Sequence, residues 1–167
     1  MEHHAVDNAL RWIVLVPLIG AAINGLLVRV MPRRAAGLIA CSAVAISFAL
    51  SVKVFLSLIE MDPSHRLVED TMATWLSFGR LQIDIGFAVD QLNAIMALVV
   101  TGVGFLIHVY SVGYMAHDQG SNRFFAYLNL FIFAMLTLVL GENLVMLFVG
   151  WEGVGLCSYL LISFWFN

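Results

Sequence analysis

Glu152 is a carboxylate in the middle of an apolar stretch running from Leu144 to Phe166. At about 1.5 Å per residue, that stretch is long enough to cross a bilayer core of roughly 30 Å. Its midpoint lies near Gly155, so the acid sits only about 4.5 Å from the centre along a helix axis. An ionisable group at that depth is costly, faces protein or water, and is by default a functional candidate. The chemistry open to it is proton transfer. Low dielectric favours the neutral acid, a nearby cation favours the carboxylate, and a moving cation would make the group take up and release a proton. The plainer alternative is a structural hydrogen bond between helices.

The surrounding spacing supplies a face. One and two helical turns from Glu152 lie Phe148, Gly155, Leu156 and Tyr159, so the acid has reduced bulk beside it and a candidate relay hydroxyl at Tyr159. Gly150, Gly153 and Gly155 also permit close approach of a neighbouring helix. His108 is the second titratable candidate, on a face shared with Thr101 and Gly104, where it serves either as a relay or as a hydrogen-bonded interface group. No cation sits at mid-membrane depth. Lys53 comes nearest, and its long stem lets it snorkel to the interface. Asp90 with Gln91, and Glu142 with Asn143, stand at helix starts, where dipole and capping effects account for them. Tyr127, Asn129 and Thr137 are expected to join helices together. The adjacent His3 and His4 are too few for a metal site.

Composition sets the class. The 167 residues are 62% hydrophobic and 11% charged, with a net charge of −3 and a mean hydropathy of +0.95. A soluble domain carries about 25% charged residues, so an all-α integral membrane protein is expected. No basic stripe points to nucleic acid. Cys41 and Cys157 fall in apolar spans as small core residues, without metal or disulfide spacing. There is no phosphate loop, CxxC pair, paired catalytic carboxylates or nucleophile–base pair, so no cofactor and no electron carrier is expected to have ligands here.

Five spans must position these residues: 12–30, 35–59, 87–112, 124–140 and 144–166. All are expected to be helices, because lipid leaves no other partner for the backbone. The first is too long for a signal-peptide core, and Leu38-Ile39-Ala40-Cys41, although like a lipoprotein box, is read as helix interior. Arg29, Arg33 and Arg34 place the first turn in the cytoplasm, the N-terminus and the 60–86 segment outside, and residue 167 on the cytoplasmic side. Within 60–86 the first half is acidic and turn-like. Thr74–Phe78 and Leu81–Ile85 alternate around Gly79 and Arg80, which predicts a small outer β-hairpin. The organisation is two helices (1–59), an outer loop with the hairpin (60–86), and three further helices (87–167).

The motifs then match a known family. Phe87-Ala88-Val89-Asp90-Gln91-Leu92, with Val99 to His108, Tyr110-Ser111 and Tyr114-Met115, resembles the third helix of the antiporter-like chain L subunits of NADH-quinone oxidoreductase, respiratory complex I. Arg123 to Phe131 resembles the fourth helix, and Gly150 to Ile162 is very similar to the fifth. The first two helices agree only in outline.

That resemblance implies the start of an ion-translocation domain in the membrane arm, in the bacterial plasma membrane, with other membrane-arm subunits and the lipid bilayer as partners. It implies that Glu152 pairs with a lysine on a later helix and carries proton translocation. It also implies that FMN, iron–sulfur clusters, NADH and quinone belong to other subunits. The family's chains are far longer, so this one resembles an N-terminal portion. The rival expectations are a subunit of a multisubunit sodium/proton antiporter, a related inorganic-carbon-uptake membrane subunit, and a purely scaffolding role.

Overall fold

The computed structural model describes residues 2–62, 66–79 and 81–165; the side chains of 1–8 and of 81 lie outside the description. The elements in order are α1 (Glu2–Leu26), α2 (Arg33–Glu60), β1 (Val68–Phe78), β2 (Leu81–Val89), α3 (Gln91–Tyr114), α4 (Ser121–Leu140) and α5 (Leu144–Ile162), which ends in a 3₁₀ turn, Ser163–Trp165. Among the described residues, five helices are long and apolar enough to cross a membrane. His3 and His4 fall in the first turn of α1, with side chains outside the described residues.

Helix α4 organises the bundle. It packs against α1, α2, α3 and α5, and half of its residues are buried, against 17% along α5. Helix α5 therefore rests on the edge, laid chiefly on α4. Its buried residues, Met146, Gly150 and Cys157, form one stripe at helical spacing.

The ends of the elements alternate between two surfaces. At one, the hairpin receives the α4–α5 turn: Glu142 N donates to Gly86 O at 3.2 Å, and Asn143 Nδ2 donates to Asp84 O at 2.8 Å. At the other, Asn122 Nδ2 donates to Val28 O and Met31 O at 3.2 and 2.8 Å, holding the α3–α4 connection to the α1–α2 turn. This second surface carries Arg29, Arg33, Arg34 and Arg123. The buried interior is graded between them. Leu10, Ile13, Val14, Leu136 and Leu140 join Val68, Phe87 and Val89 of the hairpin base in one apolar cluster. Asn24, His108, Ser111, Ser121, Asn122 and Asn129 are buried in the half nearer the arginines.

Two expected boundaries are corrected. Span three does not begin at Phe87, because Phe87–Val89 belong to β2. The hairpin runs from Val68↔Val89 to Phe78↔Leu81, with irregularities between Thr71 and Ala73 and between Thr74 and Leu76. The ribbon extends past the predicted strands because its base is buried and anchored. Val68, Phe87 and Val89 enter the core, and Asp70 accepts from Arg11 Nε on α1 at 2.8 Å. The acidic first half of 60–86 thus supplies strand residues, not only a turn. Gly79 turns the chain at φ +59°, a conformation glycine adopts without a Cβ clash; Arg80 lies outside the described residues.

The second correction is to span one, which ends as a helix at Leu26 and not at Val30. Asn122 takes up carbonyls of the departing chain there, so the backbone need not stay helical to satisfy them.

Candidate functional site

Helix α5 begins with a side-chain cap. Asn143 Oδ1 accepts from Val145 N at 3.1 Å and Met146 N at 3.0 Å, satisfying two of the free amides of the first turn. Glu142 does not share that role. Its carboxylate accepts from Thr71 Oγ1 at 3.3 Å and fills the space beside Gly86. The capping expectation holds for Asn143 and is corrected for Glu142, because the hairpin draws its side chain away from the helix.

The glycines of α5 divide by face. A Cβ on Gly150 would meet the Leu138 backbone at 2.4 Å, and one on Gly153 would meet Ala134 Cβ at 3.0 Å. These two let α5 press on α4. A Cβ on Gly155 would meet nothing within 4 Å. Close packing therefore accounts for two of the three glycines, and Gly155 lies on the other side of the helix.

That other side carries Glu152. Glu152, Phe148, Trp151, Gly155, Leu156 and Tyr159 are all exposed along α5, and Phe148 and Trp151 have ring centroids 6.4 Å apart. Among the described residues, no hydrogen bond or ion pair reaches the side chain of Glu152 or of Tyr159. The two lie two turns apart, about 10 Å along the axis, so they share a face without touching. Lys53 is exposed on α2 and is not brought to Glu152 by an ion pair.

His108 is placed differently. It is fully buried, as are Thr101 and Asn129. Its Nδ1 lies 2.8 Å from Gly104 O and its Nε2 lies 2.9 Å from Asn129 Oδ1 on α4. Thr101 Oγ1 donates to Ala97 O at 2.6 Å, within its own helix. The two candidate titratable sites are therefore separate, with Glu152 on the outer face of an edge helix and His108 inside the α1–α4 bundle. Asn129, expected only to join helices, is the side chain that holds His108. Asn24, buried and donating to Ala36 O at 3.2 Å, is a further polar core residue whose signal was an amide inside an apolar span.

The arginine surface ends in a small latch. Asp118 accepts from Gly120 N at 2.6 Å and from Trp165 Nε1 at 2.9 Å, and Arg123 stands over the Phe164 ring at 5.0 Å. The Gly120 amide first, then the Trp165 indole, with Arg33 and Arg123 nearby, hold the Asp118 carboxyl below the ordinary carboxylate range. Among the described residues, no group of three His, Cys, Asp or Glu side chains is placed to hold a metal ion. Cys157 is buried against α4 and Cys41 half-buried; both are free thiols.

Comparison with known proteins agrees with the motifs. Residues 75–125 match the family described as NADH-Ubiquinone oxidoreductase (complex I), chain 5 N-terminus. That match contains His108 and ends before Glu152. The chain is 46% identical over 156 residues to NADH-quinone oxidoreductase subunit L of Mycobacterium tuberculosis (strain CDC 1551 / Oshkosh), covering 93% of this chain and 24% of the relative. It is 45% identical over 157 residues to the subunit L of Neisseria meningitidis serogroup B, covering 93% and 23%. With the subunit L of Rickettsia bellii it shares 39% over 155 residues, covering 93% and 24%. The chain thus spans about a quarter of the length of the curated relatives it matches.

Proposed function

We propose that this chain, homologous over most of its length to part of subunit L of NADH-quinone oxidoreductase, works in the membrane arm of that complex in proton translocation driven by NADH oxidation and quinone reduction. The observation that carries the reading is the mid-helix carboxylate Glu152 on α5 of a chain with this homology. The chain's part in the enzyme is that of a translocating subunit, with FMN, iron–sulfur clusters, NADH and quinone bound by other subunits. The arginine surface faces the cytoplasm and the hairpin surface faces outward, by the bias of positive charge toward the inside. The bacterial plasma membrane is the compartment this implies.

Glu152 is the proton carrier in this account. Its exposure on α5 means that its partners come from chain or subunits beyond the five helices, because a carboxylate turned to hydrocarbon alone would cost several kcal/mol. A cation supplied there would favour the carboxylate, and its withdrawal the neutral acid. Each cycle then moves one proton on and off the Glu152 carboxyl. Gly155 and Tyr159, on the same face, leave the acid open space one turn away and a hydroxyl two turns away. His108 is the second candidate carrier, and Lys53 keeps its snorkelling role.

A sodium/proton antiporter subunit with no redox partners is the competing assignment. The two separate by affinity purification of the complete assembly carrying this chain. Recovery with flavin- and iron–sulfur-bearing subunits supports the redox-driven reading. Recovery as a sodium-dependent exchanger without them would replace it.

A further inference from the structure

The hydrogen bonds of His108 define more than a buried histidine. Gly104 O can only accept, so Nδ1 carries a hydrogen and donates to it across 2.8 Å. Nε2 faces Asn129 Oδ1 at 2.9 Å, which also can only accept. With the amide oxygen turned to His108 both ring nitrogens bear hydrogens, and that is the imidazolium; with Nδ2 turned to it, the same contact suits the neutral ring. A neutral imidazole has one N–H, so with Nδ1 committed to Gly104 its Nε2 is a bare acceptor. It is satisfied only if Asn129 makes a half-turn and presents Nδ2.

The far end of the same amide touches another helix. Asn129 Nδ2 is buried with no hydrogen-bond partner, and a Cβ on Gly20 of α1 would sit 2.6 Å from it. The pocket is tight on every side. Ala43 of α2 adjoins Gly20, and Ile132 of α4 and Val44 of α2 adjoin Gly104. None of these is titratable. The other buried titratable side chains among the described residues are Asp70, paired with Arg11 on the hairpin, and Cys157 on α5. Half-buried Cys41 of α2 and Tyr127 of α4 make no hydrogen bond to His108.

The two arrangements are matched opposites. With Oδ1 toward His108, the pair satisfies an imidazolium and leaves a donor without a partner against α1. The reversed one removes the buried charge and leaves an acceptor there instead. Each carries one orphan group, so neither wins outright by hydrogen bonding.

We propose that His108 and Asn129 act as one switch, in which loss of the His108 proton reverses the Asn129 amide and changes the group facing Gly20 of α1 from a donor to an acceptor. The proton leaves Nε2 for the aqueous phase, its electron pair stays on the ring nitrogen, and the amide rotates to donate to that pair. The charge of a histidine on α3 is thereby read at the α1–α4 contact. The use of the switch rests on the proton-translocation reading, but its existence does not.

The test is the pH dependence of deuterium exchange at the His108 ring carbon between the two nitrogens. It is followed by mass spectrometry on the complete membrane assembly. Asn129→Asp offers only accepting oxygens, so the His108 midpoint should rise by at least about one pH unit. Asn129→Leu removes both arrangements, and the midpoint should fall. Unchanged midpoints in both variants overturn the switch. Should a variant fail to assemble, nitrogen-labelled wild-type assembly decides by magnetic resonance. An Asn129 amide signal that shifts at the His108 midpoint supports the switch, and one that stays fixed while His108 titrates overturns it. Glu152→Gln should leave the His108 midpoint in place, so this proposal and the Glu152 relay fail separately.

Discussion

The seating of α5 on α4 can be tested by adding one methyl group at each glycine of α5. At Gly150 the new Cβ would lie 2.4 Å from Leu138 N and 2.6 Å from Leu138 Cα. Ordinary contact begins near 3.4 Å, so α5 must retreat by about 1 Å. The obstruction is backbone and cannot rotate aside. Overpacking costs about 1–3 kcal/mol, and the upper end applies where backbone must move. Replacing glycine by alanine in a helix returns about 1 kcal/mol. Gly150→Ala should therefore weaken the α4–α5 contact by about 2 kcal/mol, roughly a thirtyfold change in the docked-to-undocked ratio.

At Gly153 the shortfall is a few tenths of an ångström against a side-chain methyl, so cost and gain nearly cancel. Gly155→Ala meets nothing and should leave the contact unchanged. Cys157 reports the outcome, because it is buried on the α4-facing stripe of α5. In the complete assembly, alkylation of Cys157 by a membrane-permeant thiol reagent should accelerate strongly in Gly150→Ala, little in Gly153→Ala and not at all in Gly155→Ala. Half-buried Cys41 serves as the internal reference. Equal rates across the three variants, or a larger effect at Gly155 than at Gly150, would refute the assigned seating of α5.

Two further outcomes follow from local chemistry. Asn143→Ala removes the acceptor for Val145 N and Met146 N and the donor to Asp84 O, and should destabilise the start of α5 by about 1 kcal/mol or somewhat more; faster amide exchange at Val145 and Met146 is the measurement, and unchanged exchange would remove the cap from the account. Asp118 is held below the ordinary carboxylate range, so its stabilisation is full above that range and is lost as pH falls through the lowered value. Acid should then free Trp165 from the α3–α4 connection, seen as a fluorescence change that is absent in Trp165→Phe and already complete at neutral pH in Asp118→Asn.

Much of the architecture was legible because lipid permits so few solutions. Helix α2 was expected over 35–59 and spans Arg33–Glu60, and α4 was expected over 124–140 and spans Ser121–Leu140. The errors lie where tertiary contacts decide. Phe87 and Val89 read as the apolar start of a span, yet their burial comes from α1 and the hairpin base, which no periodicity reveals. Val28 and Val30 are apolar enough for a helix, and Asn122, far along the chain, takes up the Val28 and Met31 carbonyls instead.

The site shows the same division. The depth of Glu152 follows from counting residues. Its direction depends on Gly150 and Gly153 turning their bare faces to α4, which sends Glu152, Gly155 and Tyr159 outward. That Gly155 belonged with the acid was legible; that it packed against nothing in these five helices was not. His108 was singled out by type alone. Its partner required the register of α3 against α4, which places Asn129 opposite it.

The role proposed for Glu152 is to carry translocated protons. Its most direct measurement is proton uptake and release by the complete assembly, reconstituted in sealed vesicles, with Glu152→Gln in place of the native chain. The amide keeps the size and hydrogen-bonding capacity of the acid and removes its titration. The expected result is an assembly of normal composition in which redox-driven proton translocation falls sharply. Normal translocation in an intact Glu152→Gln assembly would contradict it.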